Sequence, residues 1–158
     1  MKRREERPPG AILAPGSALP AMNEIRTHRR LDPELCGRPT RVEPGLAEVE
    51  LTAAATMAAD ESGLVHGGFV FGLADCAAML AVNEPNVVLV QAEVRFVAPV
   101  TVGERMVAEA RVLPERGGPR PVVSAQVRVG DRTVFTGTFH CAVPSRHVLE
   151  LDREEDAG

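Results

Sequence analysis

Between Gly67 and Val82 the chain carries a single charged side chain, Asp75. The stretch Gly67-Gly68-Phe69-Val70-Phe71-Gly72-Leu73-Ala74-Asp75-Cys76-Ala77-Ala78-Met79-Leu80-Ala81-Val82 has the length and composition of a helix with no polar face. A helix that is apolar all round has to be buried. Stepping about 100° per residue places Asp75 on a face with Gly68, Phe71, Gly72, Ala78, Met79 and Val82. A carboxylate among such residues is costly unless it is paired or used, and groups of that kind concentrate where binding or catalysis needs them.

Whatever surrounds this helix must come from a small chain. With 158 residues, one domain is expected: residues 1–22 a disordered tail, 23–146 the folded unit, 147–158 a polar, acidic tail. Lys2, Arg3 and Arg4 followed by Ala11-Ile12-Leu13-Ala14 resemble a signal peptide, but Pro8, Pro9, Pro15 and Pro20 interrupt any apolar core. Met22 is an alternative start, because the composition turns domain-like after it. The apolar run is too short to span a membrane and is charged at its centre.

Composition removes other classes. There are five Phe but no Tyr or Trp, and the net charge is −4. Base stacking and polyanion binding are disfavoured, so no nucleic-acid partner is expected. Cys36, Cys76 and Cys141 are far apart and form no CxxC pair, and the four His show no HxxxH spacing, so no metal site is expected. Three reduced thiols suit a cytoplasmic protein.

Along the chain, residues 23–35 read as a short helix or arm, and Cys36-Gly37-Arg38-Pro39 as a turn. Pro44-Gly45 is a tight turn. Ala47 to Ala53 alternates as a half-buried strand. A loop leads into the Asp75 helix, which Pro85 ends by disfavouring helical geometry at Glu84. Val87–Val97, Glu104–Leu113, Pro121–Val129 and Arg132–Val143 each alternate as strands, with Gly130-Asp131 a two-residue turn. The expected class is α+β: an antiparallel sheet wrapped around one long central helix. One chain covers only part of such a helix, so the uncovered side implies a second copy, as a homodimer or a dimer of dimers.

This order, together with His66-Gly67-Gly68-x-x-x-x-Leu73-Ala74-Asp75, resembles the hotdog-fold acyl-CoA thioesterases of the phenylacetate-degradation (PaaI-like) group over about residues 40–143. The segment Phe96-x-x-Pro99-x-x-x-Gly103 resembles the family's strand-end pattern. The resemblance implies a hotdog fold, an acyl-CoA substrate and no separate cofactor, since coenzyme A is part of the substrate. It implies that Asp75 is the catalytic carboxylate and that the N–H of Gly67, with Gly68, forms the oxyanion hole. Asp60 stands where the family carries an asparagine that touches the thioester. Leu89 stands where a hydroxyl residue often orients water, with Gln91 the nearest polar residue.

The residue types suit that chemistry. Thioester hydrolysis needs a nucleophile and stabilisation of the carbonyl oxygen. A helix start offers free N–H groups and the positive dipole end. Asp75 is placed as general base or as nucleophile. His66 is expected to orient the loop or the substrate, and Cys76 to pack into the sheet. Phe69 and Phe71 are candidates to line an acyl tunnel, with Phe71 the favoured one. Gly67 and Asp75 lie about 12 Å apart along one helix, too far to meet one carbonyl, whereas two antiparallel helices side by side bring them together. The working site is therefore expected between subunits. Two other readings share the fold. One is a non-catalytic acyl-CoA-binding or sensing module, which the residues at 60 and 89 favour slightly. The other is a dehydratase or hydratase, whose His and acid spacing does not match.

Overall fold

The computed structural model describes residues 22–156. The tail expected over 1–22 lies, except for Met22, outside the described residues.

An arm precedes a short helix α1 (Pro33–Cys36), which Asp32 caps by accepting the Glu34 N–H at 2.9 Å. Strands β1 (Arg38–Glu43) and β2 (Leu46–Thr52) follow as a hairpin closed at Pro44-Gly45, with Gly45 at φ 74°. The central helix α2 spans Gly67–Val82. Then come β3 (Val88–Phe96), β4 (Arg105–Val112), β5 (Val122–Val129), β6 (Arg132–Ala142) and a terminal helix α3 (Val148–Asp156). The six strands form one antiparallel sheet in the order β1-β2-β4-β5-β6-β3.

The register aligns the apolar rows. Val49, Ala108, Val127 and Phe135 sit side by side across β2, β4, β5 and β6, all buried. They meet Leu73, Ala77 and Leu80 of α2, which lies chiefly over β2, β4 and β5. This is the wrapped-helix, hotdog arrangement expected. Among the described residues no helix is long and apolar enough to cross a membrane.

Two segments differ from expectation. The turn expected over Cys36–Pro39 narrows to Gly37, and Arg38 and Pro39 already belong to β1. Strand alternation is weak there because β1 is an edge strand and its proline needs no ladder donor. The polar tail over 147–158 contains α3, which buries no side chain; Arg146 ties to Glu154 at 2.7 Å and 2.8 Å. A helix held by local charge pairs has no apolar stripe to read.

The end of α2 anchors the arm. Asn83 adopts a left-handed conformation (φ 53°), and its N–H closes the helix onto the Met79 carbonyl at 2.8 Å. Its side-chain oxygen accepts the Arg26 N–H and its Nδ2 donates to the Glu24 carbonyl, both at 2.8 Å. Asn83→Gly keeps the backbone but frees the arm, and is expected to cost about 1–2 kcal/mol. Asn83→Ala adds about 1 kcal/mol for the left-handed backbone. Urea midpoints in the order native, glycine, alanine would confirm this; equal midpoints for glycine and native would show that the clamp contributes nothing.

Candidate active site

The loop before α2 is held from both sides. The His66 N–H donates to Met57 O at 2.9 Å, the Val65 N–H to Val100 O at 2.8 Å, and the Phe69 N–H to His66 O at 3.1 Å. The Gly67 and Gly68 N–H groups meet no acceptor among the described residues. They are the first free donors at the positive end of a four-turn helix.

The side chains around them leave a narrow approach. A Cβ on Gly67 would lie 2.9 Å from the Phe96 ring, and one on Gly68 3.2 Å from the His66 ring. His66 is exposed, makes no capping bond and meets Phe69 edge-on at 6.3 Å. It brackets the turn. Beside Gly67 opens an apolar cavity of about 350 Å³, walled by Leu64, Val65, Val70, Phe96, Pro99 and Val134.

Two helical turns on, Asp75 is half-buried, and its Oδ1 is shut off from solvent with no hydrogen-bond partner. Burial alone pushes its carboxyl from 3.8 up to about 6. It makes no ion pair among the described residues, so a structural pairing with arginine does not account for it. The helix is not covered on every side. Gly68 is exposed, Gly72 and Asp75 are half-buried, and a Cβ on Gly72 would meet nothing within 4 Å. This strip of small residues leads from the free N–H groups to the carboxylate. It exists because α2 crosses β2, β4 and β5 and leaves its far flank without a layer.

The three thiols stand around this carboxylate and are held protonated. Burial pushes Cys76 up to about 12 and Cys141 up to about 11, with the Asp75 charge adding to both. Cys36 is raised by burial first and by the same charge next. Their raised proton affinities favour the thiol over the thiolate at neutral pH. Cys76 is buried in the core, as expected of a packing thiol, and it also lines a cavity of about 300 Å³ under the arm with Ile25, His28, Pro39 and Leu80. The short helix or arm expected over residues 23–35 covers that side of α2.

The other expected residues fall into separate places. The Asp60 Oδ1 accepts the N–H groups of Ser62 at 2.9 Å and Leu64 at 3.3 Å, so it ties the loop that delivers His66. Phe71 packs against Phe139 at 5.7 Å and Phe135 at 6.3 Å, away from the cavity beside Gly67. Leu89 faces inward opposite Cys141, whereas Gln91 pairs with His140 on the outer face, away from α2. Phe96 is the aromatic residue at the Gly67 cavity. Its only sequence signal was its place in the strand-end pattern. Among the described residues no group of three or more His, Cys, Asp or Glu is placed to hold a metal.

Gly67 and Asp75 are thus on one continuous helix, about 12 Å apart. A single chain does not bring them together.

Known proteins place this arrangement. Residues 62–135 match the family model described as the thioesterase superfamily. An uncharacterized protein, PH1136 from Pyrococcus horikoshii, is 50% identical with a TM-score of 0.78, covering 80% of this chain and 97% of that one. A mutant of phenylacetic acid degradation protein PaaI from Thermus thermophilus is 25% identical with a TM-score of 0.64, covering 70% and 95%. Among curated relatives, a methylthioribose-1-phosphate isomerase from Aquifex aeolicus (strain VF5) is 47% identical over 116 residues, which are 73% of this chain and 25% of that protein. Transcription factor FapR of Bacillus cereus (strain 03BB102) is 38% identical over 77 residues, 48% of this chain and 39% of its own length. The chain therefore spans between a quarter and two fifths of the length of these two curated relatives.

Proposed function

Because this chain belongs to the thioesterase superfamily and has its hotdog fold, we propose that it hydrolyses acyl thioesters, acyl-CoA foremost, at a site shared by two copies. The observation that carries this reading is Asp75: a carboxylate whose Oδ1 is shielded and without a hydrogen-bond partner among the described residues, on an open strip of helix, with its proton affinity raised towards neutrality by burial.

The chemistry follows from the groups present. The thioester carbonyl accepts hydrogen bonds from the Gly67 N–H, with Gly68 beside it, and the negative charge that develops there is met by the helix end. The apolar cavity walled by Phe96 and Val134 takes the adjoining apolar part of the substrate. Asp75 of the other copy either takes a proton from the attacking water or attacks the carbonyl itself to give a mixed anhydride that water then opens. Either route needs the carboxylate ionised, and the coenzyme thiol leaves.

Thiol release from a panel of acyl-CoAs, followed for the native protein and for Asp75→Asn, tests the assignment. Release that the substitution leaves unchanged in rate removes Asp75 from the chemistry. Gly67→Ala retains the N–H but crowds the carbonyl approach and displaces the Phe96 ring; it is expected to lower kcat/KM by about tenfold or more with little change in Tm. An unchanged kcat/KM would mean that the carbonyl binds elsewhere.

A second reading is an acyl-CoA-binding or sensing module on the same fold. It is favoured by the match to a transcription factor and by Leu89 and Gln91, which offer no polar group to the Asp75 side. Saturable acyl-CoA binding without thiol release would establish it.

A further inference from the structure

We propose that the cavity under the arm is a second ligand site, which holds a small amphiphilic carboxylate with its apolar body against α2 and its head at Arg29 and His28. The site uses none of the groups assigned to hydrolysis and is independent of that reading.

The arm is fixed at both ends. Asn83 holds Glu24 and Arg26 at 2.8 Å each, and Asp32 caps α1. Between these anchors a space of about 300 Å³ is lined by Cys76 and Leu80 of α2, Ile25 and Leu31 of the arm, and Pro39 of β1. That volume is at the lower end of the about 300–1,000 Å³ that small-ligand sites occupy. The wall is apolar, yet Leu31 stays 40% exposed. Close packing is the rule beside a core, and an apolar hollow left open there suits an apolar guest better than water.

The polar end is built with equal care. His28 and Arg29 line the same cavity and are exposed, which places them where it opens. His28 is held there at a cost. Its backbone is left-handed (φ 53°), a conformation that a β-carbon disfavours. Thr27, only 5% exposed, spends its hydroxyl on the His28 Nδ1 at 2.7 Å. With the hydroxyl donating, Nε2 keeps its proton and is left to donate outwards. Strain that the surroundings over-determine clusters at ligand clamps. Arg29 makes no ion pair among the described residues. Asp32, Glu34 and Glu84 are committed elsewhere: the first to the α1 cap, the second to Arg38, the third to Arg26 at 3.8 Å.

These groups define the class of ligand. An unpaired guanidinium beside one N–H meets the two oxygens of a carboxylate. The apolar space behind them penalises a second charge. Dicarboxylates and inorganic anions are therefore disfavoured, and a monoanion with a short hydrocarbon or aryl body fits.

Titration calorimetry of the full chain with octanoate tests the site. One molecule per chain is expected, with Kd about 0.1 mM or below; no saturable binding below about 5 mM overturns the proposal. Octanol has the body without the charge, and acetate the charge without the body. Each is expected to bind at least about tenfold more weakly than octanoate. Octanol or acetate binding as tightly as octanoate overturns it. Arg29→Gln is expected to raise the octanoate Kd about tenfold or more. His28→Asn keeps a residue that tolerates the left-handed backbone but withdraws the ring, and is expected to raise it about threefold or more. Both side chains are exposed, so the fold is kept, and an unchanged Tm checks this. Arg116→Gln, the same change of charge on the loop after β4, is the control and is expected to leave Kd within about twofold. Octanoate bound beside Gly67 instead would be untouched by Arg29→Gln, and that result overturns the site, as does equal weakening by Arg29→Gln and Arg116→Gln.

Discussion

Asp75→Asn is expected to slow thiol release by about 10²–10⁴-fold and to stabilise the protein, and the gain in stability should depend on pH. The folded carboxyl titrates at about 6 against an ordinary value of 3.8, raised by burial. A carboxylate whose folded value is raised favours the protonated form in the fold. Below about pH 4 both folded and unfolded states hold the proton, and the side chain costs nothing. Between about pH 4 and 6 the unfolded chain ionises more readily, and the penalty grows. Above about pH 6 it is complete, and the gap corresponds to about 3 kcal/mol. Asparagine carries no such penalty. Urea titrations should show the variant more stable by up to about 3 kcal/mol at pH 8 and equal to the native protein at pH 4. Loss of the base is expected to cost about 10²–10⁴-fold in kcat, and the native kcat/KM should rise with pH to a plateau above about 6. A variant less stable than native at pH 8 would mean that Asp75 has a structural partner in the working assembly.

Gly37→Ala is expected to be the most damaging single-methyl addition among the described glycines. Gly37 links α1 to β1 at φ 94°, and a Cβ there would lie 2.7 Å from Val49 Cγ1, 2.8 Å from the Glu50 carbonyl and 2.8 Å from Leu73 Cδ1. One of these is backbone and two are core side chains, so nothing yields cheaply. Overpacking costs about 1–3 kcal/mol, and the backbone at φ 94°, ψ 170°, a region open essentially to glycine alone, about 1–3 kcal/mol more. Gly45→Ala supplies the control. It shares a positive φ of 74°, but its Cβ would have 3.8 Å of clearance, so only the backbone cost of about 1–2 kcal/mol applies. Urea midpoints that fall equally for the two variants would show that Gly37 is a turn residue and not a close contact between the arm and α2. The difference bears on function, because α1 and the arm roof the Cys76 side of the helix that carries Asp75.

Particular residues show why some of this was legible in the chain alone. The α2 segment was readable because it is apolar through its whole length, and Asp75 was conspicuous for interrupting it. β4, β5 and β6 were readable because each has one face on the core and one in water, so their residues alternate. β1 was not, because an edge strand with a proline and few buried side chains leaves no alternation. The sequence favoured Phe71 as a site residue and passed over Phe96, and the structure reverses that order. Both are aromatic and next to apolar segments, and only the tertiary packing places Phe96 beside Gly67 and draws Phe71 into contact with Phe135 and Phe139.

What the amino-acid order determined by itself was local and additive: a helix too apolar to stand in water, strands of period two, and a carboxylate whose burial had to have a purpose. Tertiary structure decided what depends on relative position. It showed that Asp75 has no partner among the described residues, that the Gly67 and Gly68 N–H groups are free there, that the arm shields one side of α2, and that an open strip and an open strand edge lie on the other. Those facts rest on distances between residues far apart in the chain, and no local pattern of side chains encodes them.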